Sequence, residues 1–459
     1  MLGESLDLTT PQRIHIVGIG GAGMSAMAQL LAEMGHEVSG SDLRDSPALE
    51  RLRRAGVVAH AGHRASNLGE VDLVTASPAV PSSNPELVAA RDRSLAVATR
   101  PMMLGALARV RRTLAVAGTH GKTTTSSMLA LILLEAGLEP SFLLGADVAG
   151  IGAGAVWGAG EWLVVEADES YGAFSLMEPD RVVLTNVEPD HLDHYGTLED
   201  LEQAFAGLVE RSKNRSVVMA DDPGARRVGE QGRAVLVGSD GVVAVRVEDI
   251  ELERASSTFT MQLEDGERLR LQVAAPGRHN VANAAVAAAA AASIGVDSSA
   301  IAAGLRRFAG VPRRFEFRGE VEGVSFVDDY AHLPAEVEAT IQAALAGGYE
   351  RVVAVFQPHR YTRTQAVATG FASSFRGADL VVVTDIYGAG EEPIPGVTGR
   401  LVAESVAATS SADRVRYVQD LDQLAPIVAA LLEPGDLCLT MGAGDLTLVP
   451  DEIQAMLGR

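Results

Sequence analysis

Cysteine is nearly missing from this 459-residue sequence: Cys438 stands alone. A single thiol excludes an internal disulfide framework and any cysteine-built metal cage. Cys438 lies in the apolar run GDLCLTMG, which reads as a buried strand carrying a structural thiol. Lysine is almost as scarce, with Lys122 and Lys213 as the only two. Positive charge as a whole is outweighed, since 38 basic against 60 acidic residues leave a net charge of −22. Such a surface repels phosphate backbones and anionic lipid, which argues against a nucleic-acid or membrane role. Long apolar runs are missing too. The smoothest, NAAVAAAAAASIG, is mostly alanine and reads as a packed helix. The N-terminal stretch MLGESLDLTT is acidic and lacks the apolar centre of a signal peptide, so a cytoplasmic protein is expected.

What remains is α/β patterning along nearly the whole chain. A first block carries RIHIVGI, a helix over 24–34, EVSGSD, GVVAHAG, DLVTAS, and a helix near residue 105. A second opens at RTLAVAG and continues through EWLVVEA, RVVLTNV and RSVVMADD. It then runs through an acidic, arginine-bearing stretch, 240–272, and ends with the alanine-rich helix. A third carries VSFVDDY, RVVAVFQ, DLVVVTDIY and DLCLTMGAGD. The boundaries fall near 108 and 311, giving domains 1–108, 109–311 and 312–459.

Two glycine turns carry the chemistry. The first, VGIGGAGMS, spells G-x-G-x-x-G with Gly18, Gly20 and Gly23 directly after an apolar run. A glycine turn feeding a helix N-terminus receives a pyrophosphate, and by itself suits a nicotinamide-dependent oxidoreductase as well as any other diphosphate binder. The second is GTHGKTTT, a strand, a glycine turn and a helix. Its leading glycine is Gly118, so it is shorter than G-x-x-x-x-G-K-[ST]. Backbone N–H groups here would cradle phosphate, Lys122 would reach the outer phosphates, and Thr123 would offer its hydroxyl to a metal. Arginine is the usual cation of this chain, so a lysine at this place points to a compact point charge. Glu166, at the C-terminal end of the strand that closes in VVEADES, supplies a hard oxygen ligand for Mg²⁺, with Mn²⁺ as the alternative. TNVEPDHLDHYG adds Asp190, His191, Asp193 and His194 after the next strand. The His191-x-x-His194 spacing is too loose to argue for zinc.

GTHGKTTT, EADES, TNVEPDHLDHY, PGRHNVANA, RRFE, DDYAH, FQPHRYTRT and MGAGD follow one another in this order. The chain thereby resembles the Mur ligase family over residues 13–450. GIGGAGMS and FQPHRYTRT point to its alanine-adding branch. The resemblance implies three α/β domains: Rossmann-like at the N-terminus, a central P-loop ATPase-like domain with a mostly parallel sheet, and Rossmann-like at the C-terminus. It also turns the first glycine loop from a nicotinamide site into a UDP-sugar site, with Gly18, Gly20, Gly21, Ala22, Gly23, Met24, Ser25, Asp42, His63 and Ser77 as contacts. It assigns ATP to Gly118, Thr119, His120, Gly121, Lys122, Thr123, Thr124, Asn280, Asn283, Arg314 and Asp329. Metal falls to Thr123, Glu166 and His191, and the incoming amino acid to Tyr330, His332, Arg360 and Arg363. Lys122, Glu166 and His191 form the implied catalytic set.

The implied reaction joins L-alanine to the carboxylate of UDP-N-acetylmuramate at the expense of ATP, through an acyl phosphate, in the synthesis of peptidoglycan precursors. His191 and His332 are both candidates for taking the amine proton, and the third domain is expected to close over the reacting groups. The sequence is compatible with a monomer or a homodimer. Three departures bear on the acceptor side. The family's DDYAHHP followed by threonine is here DDYAHLPAE, with Leu333 and Ala335, and its EADESD is here EADESY, with Tyr171. A muropeptide-recycling ligase, which attaches a ready-made peptide, is the rival within the family. A catalytically idle nucleotide sensor is disfavoured by the intact set Lys122, Thr123, Glu166, His191 and Asp329.

Overall fold

The structure is a computed structural model that describes residues 6–148, 151–232 and 234–458. Residues 1–5 of the acidic N-terminal stretch lie outside the described residues, as do the side chains of Tyr171 and Asp193. The first sheet holds β1 (Arg13–Val17), β2 (Glu37–Asp42), β3 (Val58–Ala61), β4 (Leu73–Ala76) and β5 (Ala96–Ala98). Its order is β3-β2-β1-β4-β5, parallel throughout. Ile14, Ile16 and Val17 of the central strand are fully buried, as expected for a parallel strand covered on both faces. The order reverses at β1, so the crevice at its carboxyl end is where a ligand belongs. Helix α1 (Ala22–Glu33) starts there, two residues before the expected start. Helices α2 (Pro47–Arg54), α3 (Pro85–Asp92) and α4 (Arg100–Val110) each open on a side-chain cap, from Ser46, Asn84 and Thr99, with proline in the first turn.

The second sheet begins with β6 (Arg112–Ala117), which runs through the second glycine turn into helix α5 (Lys122–Glu135). It adds β7 (Ser141–Leu143), β8 (Ala155–Val156), β9 (Trp162–Glu166), β10 (Arg181–Leu184), β11 (Val217–Met219), β12 (Val235–Gly238), β13 (Val245–Leu252), β14 (Ser257–Gln262) and β15 (Arg268–Val273). The order is β15-β14-β13-β12-β11-β10-β6-β9-β7-β8. Strand β6 pairs in parallel with β9 and β10, which brings the ends of all three strands together around the turn. The acidic stretch 240–272 supplies β13, β14 and most of β15. In β15 the charged residues alternate outward and Leu269, Leu271 and Val273 inward, the period of a half-buried strand. Helix α5 is buried from Thr123 to Leu133. The helix Ser298–Arg307 can approach it because Gly304 has no side chain: a Cβ there would stand 2.4 Å from the Ile132 Cα.

The third sheet has β16 (Glu316–Val321), β17 (Val324–Asp329), β18 (Arg351–Phe356), β19 (Leu380–Thr384), β20 (Val415–Val418) and β21 (Asp436–Met441), in the order β16-β17-β21-β18-β19-β20. Only the β16–β17 pair is antiparallel. Cys438 sits fully buried in β21, and burial pushes its thiol up to about 12, so it is inert as the sequence implies.

The chain is therefore an α/β protein of three domains with mostly parallel sheets. Its compact units number two: Met1–Asp249, Phe259–Leu271 and Ala282–Phe308 form one, and Ile250–Thr258, Gln272–Val281 and Ala309–Arg459 the other. Among the described residues no helix is long and apolar enough to cross a membrane.

Candidate active site

The first glycine turn is shaped by what surrounds it. Gly18 has φ +79°, and a Cβ on it would stand 2.9 Å from the Ser77 Cβ. The Gly20 N–H donates to Asp42 Oδ2 at 2.8 Å, while Asp42 Oδ1 accepts from Leu43 N at 2.7 Å. Asp42 thus holds the turn as well as lying at its mouth. No side chain caps α1 at Gly21, so the amides of its first turn face outward, a ready anion site. Ser25 donates to the Ala22 carbonyl at 3.0 Å. Met24 is a core residue, 4% exposed, so any contact it makes with a ligand runs through its backbone. His63 follows β3, beside Asp42, whose carbonyl accepts from Gly62 N at 2.7 Å.

At the second turn, Gly118 (φ +131°) and Gly121 (φ +77°) are conformational requirements. Added Cβ atoms would fall 2.1 Å from Thr185 Oγ1 and 2.4 Å from Asn283 Oδ1. The rest of the turn is pinned by the end of β10. Thr119 N donates to the Asn186 carbonyl at 3.1 Å, His120 N to Asn186 Oδ1 at 2.7 Å, and Thr185 Oγ1 to the His120 carbonyl at 2.6 Å. Helix α5 begins at Lys122 with no side-chain cap, so its first amides point into the turn. Thr124 is buried beneath it.

Lys122 Nζ donates to the carbonyls of Gly118 (2.7 Å) and Thr119 (3.0 Å) and to Glu169 Oε2 (2.8 Å). Burial alone would depress its pKa. The negative charges of Glu169, Asp168 and Glu166 outweigh that and hold it up at about 12. Thr123 Oγ1 donates to both oxygens of Glu166, at 2.9 and 3.1 Å. Glu166 also accepts from Gly145 N at 2.8 Å, and a Cβ at Gly145 would stand 2.6 Å from Glu166 Oε2. A hydroxyl and a carboxylate cradled in this way suit a hard cation. Of the expected set Thr123, Glu166 and His191, the first two meet directly. His191 groups instead with Asp168 and Glu169, their ligand atoms within 4.8 Å of one another. His191 adopts a left-handed backbone (φ +51°), rare for a residue with a Cβ.

The remaining expected residues lie in the second compact unit, except Asn283 beside Gly121. Asn280 caps locally, donating to the Pro276 carbonyl at 2.7 Å. Asp329 accepts from Phe315 N and Ala331 N, both at 2.7 Å, and burial lifts its carboxyl to about 6. Arg314 reaches Glu336 (3.8 Å) and lies 5.0 Å from the Tyr330 ring centroid. His332 Nδ1 stands 3.1 Å from the Tyr330 carbonyl and 3.2 Å from Glu336. Arg360 has φ +68° and ψ 135°, a strained backbone for a non-glycine residue, and its Nε donates to Glu391 at 2.5 Å.

Four residues carry more than sequence reasoning gave them. Glu169 pairs with Lys122. Arg100 packs its guanidinium over Gly23 and reaches Asp168 at 3.5 Å, linking the surroundings of both glycine turns. His359 lies 3.0 Å from Arg363, against the His332 and Tyr387 rings. Burial, then the positive charge around it, lowers its pKa to about 4, so it is neutral at pH 7. Glu391 anchors Arg360. Glu169 and His359 sit inside motifs already quoted, which was the available signal; Arg100 and Glu391 offered none.

Residues 13–112 match the Mur ligase family catalytic domain, 116–291 the Mur ligase middle domain, and 313–444 the Mur ligase glutamate ligase domain. A UDP-N-acetylmuramate–L-alanine ligase of Thermobifida fusca is 44% identical over 99% of this chain and 98% of its own. The crystal structure of a UDP-N-acetylmuramate-alanine ligase from Thermotoga maritima superposes with a TM-score of 0.81 at 30% identity, covering 97% of this chain and 99% of that one. A murein peptide ligase from Psychrobacter arcticus superposes with a TM-score of 0.70 at 26% identity, covering 98% and 99%. With its two glycine turns and the carboxylates around Lys122, the chain belongs to the Mur ligase family.

Proposed function

We infer that this chain is an ATP-dependent, ADP-forming ligase that joins L-alanine to the carboxylate of UDP-N-acetylmuramate. The observation that carries the reading is Lys122, a charged ammonium held at the start of an uncapped helix and ringed by acidic side chains. A carboxylate oxygen is a poor leaving group. Transfer of the ATP γ-phosphoryl group to it breaks the bond to ADP and forms an acyl phosphate. The alanine amine then attacks the acyl carbon, and the bond to phosphate breaks. Two anions must meet in the first step. Lys122 and the open amides of α5 supply positive charge where negative charge develops, worth roughly 3–4 kcal/mol per well-placed donor.

We assign residues 1–108 to the UDP-sugar, with its diphosphate at Gly18–Ser25 and its uridine toward Asp42, His63 and Ser77. Residues 109–311 hold ATP at Gly118–Thr124, Asn280 and Asn283, with Arg314 and Asp329 contributing from the following domain, 312–459. Tyr330, His332, Arg360 and Arg363 receive alanine, a guanidinium fork being well shaped for its carboxylate. Thr123 and Glu166 would hold one Mg²⁺, and His191 with Asp168 and Glu169 a second. Bound there, the ions would neutralise phosphate charge. His191 and His332 are the two imidazoles to test for the amine proton. We assign the enzyme's work to the cytoplasm, where the ATP it consumes is made.

The test is a panel of acceptors. With ATP and UDP-N-acetylmuramate, L-alanine is expected to drive ADP formation far more effectively than glycine, serine or a tripeptide. Preference for the tripeptide would support a recycling ligase instead.

A further inference from the structure

Beneath the first glycine turn lies a buried polar relay that no part of the ligase chemistry uses directly. Glu86, in the first turn of α3, is fully buried. Its carboxylate accepts four hydrogen bonds. Oε1 takes Arg64 N (2.9 Å) and Asn67 Nδ2 (2.8 Å). Oε2 takes Ser41 Oγ (2.5 Å) and His15 Nε2 (3.1 Å). Burial alone would favour the protonated acid, but these donors outweigh it and hold the carboxyl at about 2. Glu86 is therefore an ionised, acceptor-only group at any working pH.

That fixes the direction of every hydrogen bond leading outward. Ser41 has one hydroxyl proton, and a carboxylate with none to give must receive it. The Ser41 oxygen is then left as an acceptor toward His63 Nδ1, which lies 2.8 Å away. The proton between them has to be on Nδ1. A neutral imidazole with Nδ1–H carries its lone pair on Nε2. The His63 side chain is 11% exposed, and its Nε2 has no hydrogen-bond partner among the described residues.

We propose that Glu86 and Ser41 are positioning residues that lock His63 in the Nδ1–H tautomer, so that its Nε2 accepts a hydrogen bond from the uridine part of the UDP-sugar. This rests on the UDP-sugar reading of the first glycine turn. Two groups of uridine can donate, the uracil imide N–H and the ribose hydroxyls. The imide is the sharper fit, because it donates only and has no use for a histidine in the other tautomer. Cytosine has a bare ring nitrogen at that place and would meet lone pair with lone pair.

The tautomer is read directly by long-range proton–nitrogen NMR on the full-length protein, His63 being assigned by the signal lost in His63→Gln. The expected pattern is protonated Nδ1 and bare Nε2 without ligand; protonated Nε2 overturns the proposal. Ser41→Ala should release the ring to the other tautomer and raise KM for UDP-N-acetylmuramate about tenfold, the loss of one hydrogen bond. kcat and KM for ATP should stay within about twofold, and Ser41→Thr should restore the wild-type values. An unchanged KM in a folded Ser41→Ala protein overturns the proposal, as does an equal loss in kcat. UDP, N3-methyl-UDP and 2′,3′-dideoxy-UDP, used as competitive inhibitors, separate the two donors. Weakened inhibition by the N3-methyl compound alone assigns the imide, and by the dideoxy compound alone the ribose; equal inhibition by all three contradicts an acceptor role. If UDP fails to inhibit at all, the UDP-sugar reading falls. That failure is told apart from failure of the relay by the tautomer, which is measured without ligand.

Discussion

Lys122 Nζ and Glu169 Oε2 stand 2.8 Å apart, with the lysine side chain 13% exposed and the glutamate 1%. The pair closes the phosphate turn from the inside. The ammonium also donates to two carbonyls of that same turn, adding to the hold that Thr185 and Asn186 have on it. Ion pairs this deep are costly to break by removing one partner, because the other is left buried and unpaired.

Lys122→Ala is accordingly expected to act twice. Phosphate release should fall by about a hundredfold or more, the usual loss for one transition-state donor. Stability should drop by roughly 3–5 kcal/mol through the stranded Glu169, and Lys122→Ala with Glu169→Gln should regain most of it. Denaturant titration and a phosphate-release assay measure the two effects, with UDP-sugar binding unchanged in both proteins. Wild-type turnover in Lys122→Ala would remove the lysine from the chemistry.

Gly121→Ala probes the turn itself. Its φ of +77° disfavours any Cβ by roughly 1–2 kcal/mol, and the methyl would stand 2.4 Å from Asn283 Oδ1. KM for ATP should rise at least about tenfold while the dissociation constant for UDP-N-acetylmuramate stays constant. A parallel rise in both would mean that the substitution disturbs the fold at large.

Arg360→Ala tests the amino-acid pocket. A charge-assisted hydrogen bond contributes about 1.5–3 kcal/mol, so KM for alanine should increase roughly 10- to 100-fold and that for ATP should hardly move. Steady-state kinetics with each substrate varied in turn decides it. Equal increases would argue against a carboxylate clamp at this position.

Glu86 supplies a pH dependence. Its carboxyl is held at about 2, below its ordinary 4.5, so the native state binds fewer protons than the unfolded chain between those values. Stability from this group is complete above about pH 4.5 and is lost as pH falls toward 2, amounting to about 3 kcal/mol. Glu86→Gln should therefore be less stable at pH 7 and flatter across pH 2–4.5 when unfolding is followed by denaturant. An identical acid slope in both proteins would remove Glu86 from the balance.

Much of this is legible in the sequence. Glycine spacing after β1 and β6 located both turns, and the scarcity of lysine singled out Lys122. The alternation of strand-like and helical stretches pointed to the α/β class, and the family resemblance to the mostly parallel sheet. Chain neighbours do not reveal who answers each charge. Glu169 is 47 positions from Lys122, and Glu86 is 71 from His15. Only the order of strands β3-β2-β1-β4-β5 brings Ser41, His63 and Glu86 into one line. The stretch 240–272 hid its strands because charged residues alternate with short apolar ones at an exposed sheet end. The grouping of His191 with Asp168 and Glu169 depends on a left-handed turn that no residue type announces.

Phosphorylation of the sugar-linked acid leaves an isotopic trace. UDP-N-acetylmuramate labelled with ¹⁸O in its carboxylate, turned over with ATP and L-alanine, should yield inorganic phosphate carrying one labelled oxygen, because the acyl oxygen departs with the phosphate. Phosphate released without label, alongside normal amide formation, would show that the carboxylate is never phosphorylated and would contradict the role given to the Lys122 turn.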